Sequence, residues 1–309
     1  MQTRLATLTS LAFLIAGCDG GPQQLAGALD SAIKAGDFDA AQALFDRTSL
    51  PFGRSVYLNM VADCAEEGAT CKTSTGPLTE AMKKEESEQA PNWEWKPLPE
   101  GVIDVAMKTK GMQGGRYFEY ARVDGQYRIV FAHYSAAKLA ELRAMTVQSI
   151  ADARLAKGVH EPTEPNDPDW KAKASPLPPG GAEGGAWFVA HTKAIAAAVA
   201  AGDVSALHSL YEEAGDSESY SYQDKDDKGN PVSAQELRHL RLRMRATAID
   251  RLQDVTVLGG YQFGGIAALS YEGHDGAGWT KRGCVFLKLD GKNWKPALIG
   301  GDEKTIPPT

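Results

Sequence analysis

The chain has 309 residues, with 40 Asp and Glu against 33 Lys and Arg and a formal net charge of -7 at pH 7. That balance argues against nucleic acid as a partner and gives no general attraction to anionic lipid surfaces. The length exceeds most single α+β domains and suits two.

The first element is an apolar run, Leu5 to Ala16, preceded by one charge, Arg4. It is too short to cross a bilayer as a helix and has signal-peptide proportions. It ends in Leu14-Ile15-Ala16-Gly17-Cys18, with small residues directly before a cysteine. This ending resembles the lipobox of bacterial lipoproteins, and the resemblance covers only the leader. It implies that the Cys18 thiol receives a diacylglyceryl group, that the leader is cut after Gly17 and that the new amino terminus is acylated. One acyl chain holds a protein marginally, whereas two or more hold it stably. The expected mature chain has 292 residues (309 minus 17) and a charge of -8, because Arg4 leaves with the leader. The tether, Asp19-Gly20-Gly21-Pro22, is short and holds the first domain near the membrane. An Asp after the lipidated cysteine resembles the inner-membrane retention signal of enteric bacteria. That rule does not extend beyond them, so either membrane remains open.

Next comes a helical pattern with the apolar stripe Leu25, Leu29, Ile33, then Gly36-Asp37 and a second helix with Phe38, Ala41, Leu44 and Phe45 on one face. The same plan returns at offset 166. Ala32 to Ala40 matches Ala198 to Ala206, and Arg122-Val123-Asp124-Gly125 matches Lys288-Leu289-Asp290-Gly291. Two blocks at one offset point to duplicated domains. In the second copy the first stripe is His191, Ile195, Val199. In both copies the glycine ends a helix and the aspartate caps the next, so these aspartates need no catalytic role.

A third helix is expected in each copy. In the second it opens with Ser233 and Glu236, a capping box, and carries Leu237, Leu240, Met244 and Ala248. In the first it is expected at Pro77 to Glu88. Strands follow. Tyr117 to Val123 and Gln126 to Tyr134 flank Asp124-Gly125, and Arg282 to Leu289 and Trp294 to Ile299 flank Asp290-Gly291, both hairpin signals. Ile266 to Tyr271 precedes a turn expected at Gly273-His274-Asp275-Gly276. An extra helix, Ala136 to Lys157, closes the first copy. Glu161 to Gly185 holds six prolines and four glycines in 25 residues and reads as an extended linker. Segment boundaries are therefore expected at 1–17 (leader), 18–24 (lipidated cysteine and tether), 25–158 (first domain), 159–185 (linker) and 186–309 (second domain).

Helices followed by antiparallel strands make an α+β plan. This order resembles the nuclear transport factor 2-like superfamily, which includes the ketosteroid isomerases. The residues that carry the likeness are Ala35-Gly36-Asp37, Ala201-Gly202-Asp203 and the terminal hairpins ending in Tyr127-Arg128-Ile129 and Trp294-Lys295. The resemblance implies two tandem cone-like domains, each with N-terminal helices packed on a curved antiparallel sheet. The superfamily holds enzymes and many domains without activity, so the fold leaves function open.

Of the cysteines, Cys64 and Cys71 are placed to pair outside the cytoplasm, closing a ring worth about 2–3 kcal/mol. Cys284 reads as a core thiol. His133 is the candidate for catalysis, because on a strand it shares a face with Tyr127, Ile129 and Phe131. A strand-end histidine beside the helix start at Ser135, bonded to backbone or water, is the preferred reading, because no partner acid can be placed from the sequence. His191 replaces Leu25 on the first stripe and reads as a boundary residue or a ligand contact. His208, His239 and His274 are expected on solvent faces or a turn. Arg238, Arg241 and Arg245 fall on one side of a helix, either as an anion site or as a solvated face paired with the acidic loop Asp224, Asp226, Asp227. Trp93-Glu94-Trp95 reads as the lid of a small core or as a contact patch. No metal-ligand spacing, nucleophile motif or phosphate loop occurs, so no metal or cofactor is expected. The expectation is a lipid-anchored envelope protein facing the periplasm that binds a partner in the envelope rather than catalysing. A carrier or sensor of a small apolar or anionic ligand is the alternative, and an isomerase- or hydrolase-like enzyme the lesser one.

Overall fold

The computed structural model describes residues 21–89, 92–109, 113–146, 149, 174–225, 228–298 and 303–308. Cys18 and the leader lie outside these residues, as does most of the expected helix and linker between 147 and 173.

The first half opens with α1 (Pro22–Ala35) and α2 (Phe38–Gln42). Pro22 sits in the first turn, where its missing N–H costs nothing. Gly36 takes the left-handed conformation (φ 60°), and Asp37 accepts from the Ala40 N–H at 3.0 Å. A third helix, α3 (Pro51–Cys64), follows. Then come β1 (Thr70–Gly76), α4 (Glu80–Gln89), β2 (Trp93–Glu94), β3 (Gly101–Lys108), β4 (Gln113–Val123), β5 (Gln126–Ile129), β6 (His133–Tyr134) and α5 (Ala136–Ala144). The main sheet is antiparallel, in the order β1-β3-β4-β5.

The second half consists of β7 (Ser175–Leu177), α6 (Ala182–Ala201), α7 (Val204–Ala214), a 3-10 turn (Ser217–Tyr222) and α8 (Ala234–Ala248). The strands β8 (Leu252–Phe263), β9 (Ile266–Asp275), β10 (Thr280–Asp290), β11 (Asn293–Leu298) and β12 (Lys304–Ile306) complete it. Gly202 (φ 64°) and Asp203, which accepts from the Ala206 N–H at 3.0 Å, repeat the device at Gly36 and Asp37. Ser233 caps α8 by accepting from the Glu236 N–H at 3.1 Å. The sheet runs β11-β10-β9-β8-β7, with β12 beside the start of β10. The architecture is mixed helix and sheet, with antiparallel strands curled into a half-barrel.

Several expectations change here. The residues 77–88 do hold a helix, α4, but it lies between β1 and β3; the helix that precedes the first sheet strand is α3. The third helices begin 183 residues apart (Pro51 to Ala234), whereas the repeat offset is 166. The second half carries extra chain before its third helix. The first half makes up the difference with residues 77–100 between β1 and β3, where β8 and β9 are joined by Gly264-Gly265 alone. The offset is thereby restored by the hairpin. The expected strand Gln126 to Tyr134 ends at Ile129, and His133 instead pairs with Glu94 in a separate two-stranded sheet. The turn expected at 273–276 is displaced, because β9 runs through Asp275. The hairpin at Asp124-Gly125 has both central residues at positive φ (50° and 79°), as a type I′ turn requires. In the second half Asp290 pairs with Asn293, so the turn is Gly291-Lys292, one residue later than expected. Part of the proline- and glycine-rich stretch is ordered: β7 pairs with β8, and α6 begins at Ala182.

The first half has one core. Leu25, Leu29 and Ile33 of α1 meet Ile103, Phe118 and Ile129 of the sheet. Between them lies an aromatic cluster: Phe45 stacks on Phe131 at 5.8 Å and Tyr57 on Phe131 at 4.8 Å, while Tyr57 meets Phe118 edge-on at 4.4 Å. The same core includes Leu242, Ala246 and Ile249, which belong to α8 and the residue after it. The opposite stripe of α8, Leu240 and Met244, packs with Leu207, Tyr211 and Tyr222 of its own half. A single helix is thus buried on two sides by two halves, with α3 as its main partner. Cys64, at the end of α3, is joined to Cys71 of β1, with Cα atoms 5.9 Å apart.

Candidate functional site

Between the two apolar stripes of α8 lie the arginines. Arg238, Arg241 and Arg245 line a groove of about 730 Å³ between the halves. One wall is the turn from α1 to α2 (Gly36, Phe38, Gln42), and the other is the end of α6 (Ala196, Val199, Ala200). Arg238 donates from Nη2 to the Ala35 carbonyl at 3.0 Å, and Arg241 donates from Nε to the Gly202 carbonyl at 3.2 Å. These oxygens belong to the carboxyl ends of α1 and α6, where a cation complements both the unpaired carbonyls and the helix dipole. The duplicated Ala-Gly-Asp segments therefore flank α8 on both sides, each held by its own arginine. Arg245 pairs with Asp39 and lies over the Phe38 ring, 5.0 Å from its centre.

Among the described residues, Arg238, Arg241 and Arg245 bond to elements other than the acidic loop expected to pair with them. Asp226 and Asp227 lie outside the described residues, and the three arginines direct their bonds to α1, α2 and the end of α6. No Asp or Glu lines the groove among the described residues. The other nitrogens of Arg238 and Arg241 hold no hydrogen bond among those residues.

His191 is on α6 but faces elsewhere. Its ring stacks on Trp187 at 4.6 Å, and burial pushes its pKa down, against the opposing pull of Asp216 and Glu213. His133 does not join the groove either. Its Nε2 is buried without a hydrogen bond and lies 3.8 Å from Asp46 Oδ2, beyond hydrogen-bond distance. Asp46 itself accepts from the Thr48 hydroxyl at 2.6 Å. Of the other histidines, His239 is not on a solvent face: it is mostly buried, and its Nδ1 lies 2.8 Å from the Ala62 carbonyl at the end of α3. His208 Nδ1 meets the Ser219 carbonyl at 3.0 Å, and exposed His274 pairs with Asp254. Trp93 stacks on Tyr134 at 4.5 Å and remains exposed on its other side.

A second polar region joins the halves. Arg54 and Ser55, buried on α3, approach Asp250, Asp275 and Lys281 of the second half. Ser55 donates to Asp250 Oδ2 at 2.7 Å. Burial pushes the Asp250 carboxyl up to about 6, opposed by the Ser55 bond and by Lys281. Burial also raises Asp275, although Oδ1 accepts from the N–H groups of Ala277 and Trp279 at 3.0 and 2.9 Å. Burial lowers Arg54, with Asp275 and Asp46 pulling the other way. Lys281 pairs with Glu303 at 2.8 Å, and Glu303 also accepts from the Tyr271 hydroxyl at 2.6 Å. The sequence gives no local sign of this seam, since its members come from α3, β9, β10 and the segments beside them.

No protein-family model matches the chain, and no curated protein is similar to it in sequence. Among solved structures, it is similar to the crystal structure of a cystatin-like protein from Ruminococcus gnavus. The identity is 9%, 92% of each chain is covered and the TM-score is 0.19. A likeness at that level carries no argument about fold or function.

Proposed function

We propose that the chain is a lipid-anchored protein of the cell envelope, facing the periplasm through acylated Cys18. We read it as two tandem cone-like domains of the nuclear transport factor 2-like type, acting by binding rather than by catalysis. The observation that carries the binding reading is the groove between the halves, where three arginines and an apolar helix end line about 730 Å³ and only Arg245 is paired with an acid, Asp39, among the described residues. The packed aromatic interior of the first half argues against a carrier pocket there. His133 meets a carboxylate only at 3.8 Å, which gives the enzyme reading little support.

Two experiments test this. Metabolic labelling with palmitate should mark the chain, and Cys18→Ser should remove the label; a label that survives the substitution refutes the anchor. A photo-cross-linking residue at Gln42 or Gln253, on the groove, should capture an envelope component in cells. Equal capture from exposed Glu141, on α5, would remove the groove as the binding face.

A further inference from the structure

We infer that the groove takes an amphiphilic anion, with a carboxylate or phosphate head held by Arg238 and Arg241 and an apolar chain laid along Ala196, Val199 and Ala200. This rests on the groove being the binding face and adds the chemistry of what it binds.

The head site follows from what the guanidinium groups leave unused. Arginine has five N–H donors in a planar fork that matches a carboxylate or phosphate with two parallel bonds. Arg238 uses Nη2 and Arg241 uses Nε for helix-end carbonyls, so each keeps further N–H donors on a side chain that lines the groove. Those same bonds fix the forks in place, which lowers the entropy cost of binding an anion. The helix-end carbonyls would repel an anion; the arginines already answer them. Arg245 adds a third cation, and its partner Asp39 is largely exposed, so that pair contributes little and yields readily to a better acceptor.

The chain site follows from the wall. Half-buried Ala196 and exposed Ala200 on α6 give the groove an apolar side, and the buried Val199, Leu242 and Ile249 complete its apolar lining. A free inorganic ion would leave this surface unused. A volume of about 730 Å³ falls within the range of small-molecule sites, roughly 300–1,000 Å³. The chain's formal charge of -7 disfavours a polyanion, whereas one compact charge meets a local site lined by three arginines, with one exposed acid, Asp39, at Arg245.

The test is calorimetric titration of the full chain with decyl phosphate and decanoate below their micelle thresholds. Inorganic phosphate supplies the head alone and decyl maltoside a neutral amphiphile. The expected result is that the anionic amphiphiles bind at least about tenfold more tightly than either control, a difference of about 1.4 kcal/mol. Arg241→Ala should weaken them by a similar factor and Arg241→Lys by less, because the point charge remains while the fork is lost. Ala200→Trp fills the exposed wall while keeping all three arginines and should abolish binding; it decides the matter if the arginine variants fail to fold. Inorganic phosphate binding as tightly as decyl phosphate would mean a free-anion site and overturn the chain. Decyl maltoside binding equally well would overturn the head, and no binding of any probe would overturn both. Specific cross-links from the groove with no amphiphile binding would remove this inference and leave the binding face standing.

Discussion

The two halves begin alike and are held together differently. Each opens with helix, left-handed glycine, capping aspartate and helix. The first half then builds one contiguous core, in which α1, α2, α3 and the sheet all meet. The second divides its buried apolar residues among a helical cluster and two clusters on the sheet. It also gives one stripe of its third helix to the first half. A duplicated pattern therefore does not imply two self-sufficient units: the third helices α3 and α8 pack on each other across the halves, and α8 lends an apolar stripe to each.

The sharpest way to break this comparison is a charge in the shared stripe. Ala246 is fully buried in the first half's core. Ala246→Asp places a carboxylate there without a partner and should cost roughly 3–5 kcal/mol. Urea unfolding should show one transition for the whole chain, shifted to lower denaturant. Two separate transitions, with only one shifted, would mean that the halves fold independently.

Next in size is the covalent tie between α3 and β1. Replacing Cys64 and Cys71 together by Ser should cost about 2–3 kcal/mol, since the bridge restrains a short loop of the unfolded chain. The same measurement under reducing conditions should bring the parent protein to the variant's stability.

The seam at Asp250 predicts a gain of about 1–3 kcal/mol. Its folded pKa of about 6 is above the ordinary value of 3.8, so protons favour the folded state. Its contribution is fully present below pH 4 and is lost as pH rises through 6. Asp250→Asn keeps an acceptor for Ser55, removes that loss, and should stabilise the protein at pH 7.5 but not at pH 4. A gain of equal size at both pH values would locate the effect outside the titration of this carboxyl. The smallest effect is at the caps: Asp203→Ala should cost about 1 kcal/mol, and Asp37→Ala a similar amount, read from thermal melts.

Local chemistry in the sequence announces much of this. The Gly-Asp junctions, the Ser233 cap and the Asp124-Gly125 turn each depend on a few neighbouring residues, and each is legible. Helix α3 is not, because Ser55, Leu58, Met60, Val61 and Ala62 bury it on several sides and leave no clean apolar stripe to read. The second hairpin slips by one residue, since glycine suits more than one position in a tight turn. The arginines are visible as a cluster on one helix, but their partners at Ala35 and Gly202 belong to elements 203 and 39 residues away. The charges of the seam have no spacing that would betray them, because they meet only after both halves are packed.

The shared stripe also sets an order in time. Synthesis runs from the amino end, so the first half emerges long before Leu242, Ala246 and Ile249 exist to cover it. Ser55 waits 195 residues for Asp250. Until then the nascent first half carries an open apolar strip beside α3, the kind of surface that chaperones hold and proteases test. Completion of the amino-terminal fold is thus timed by the arrival of a carboxyl-terminal helix.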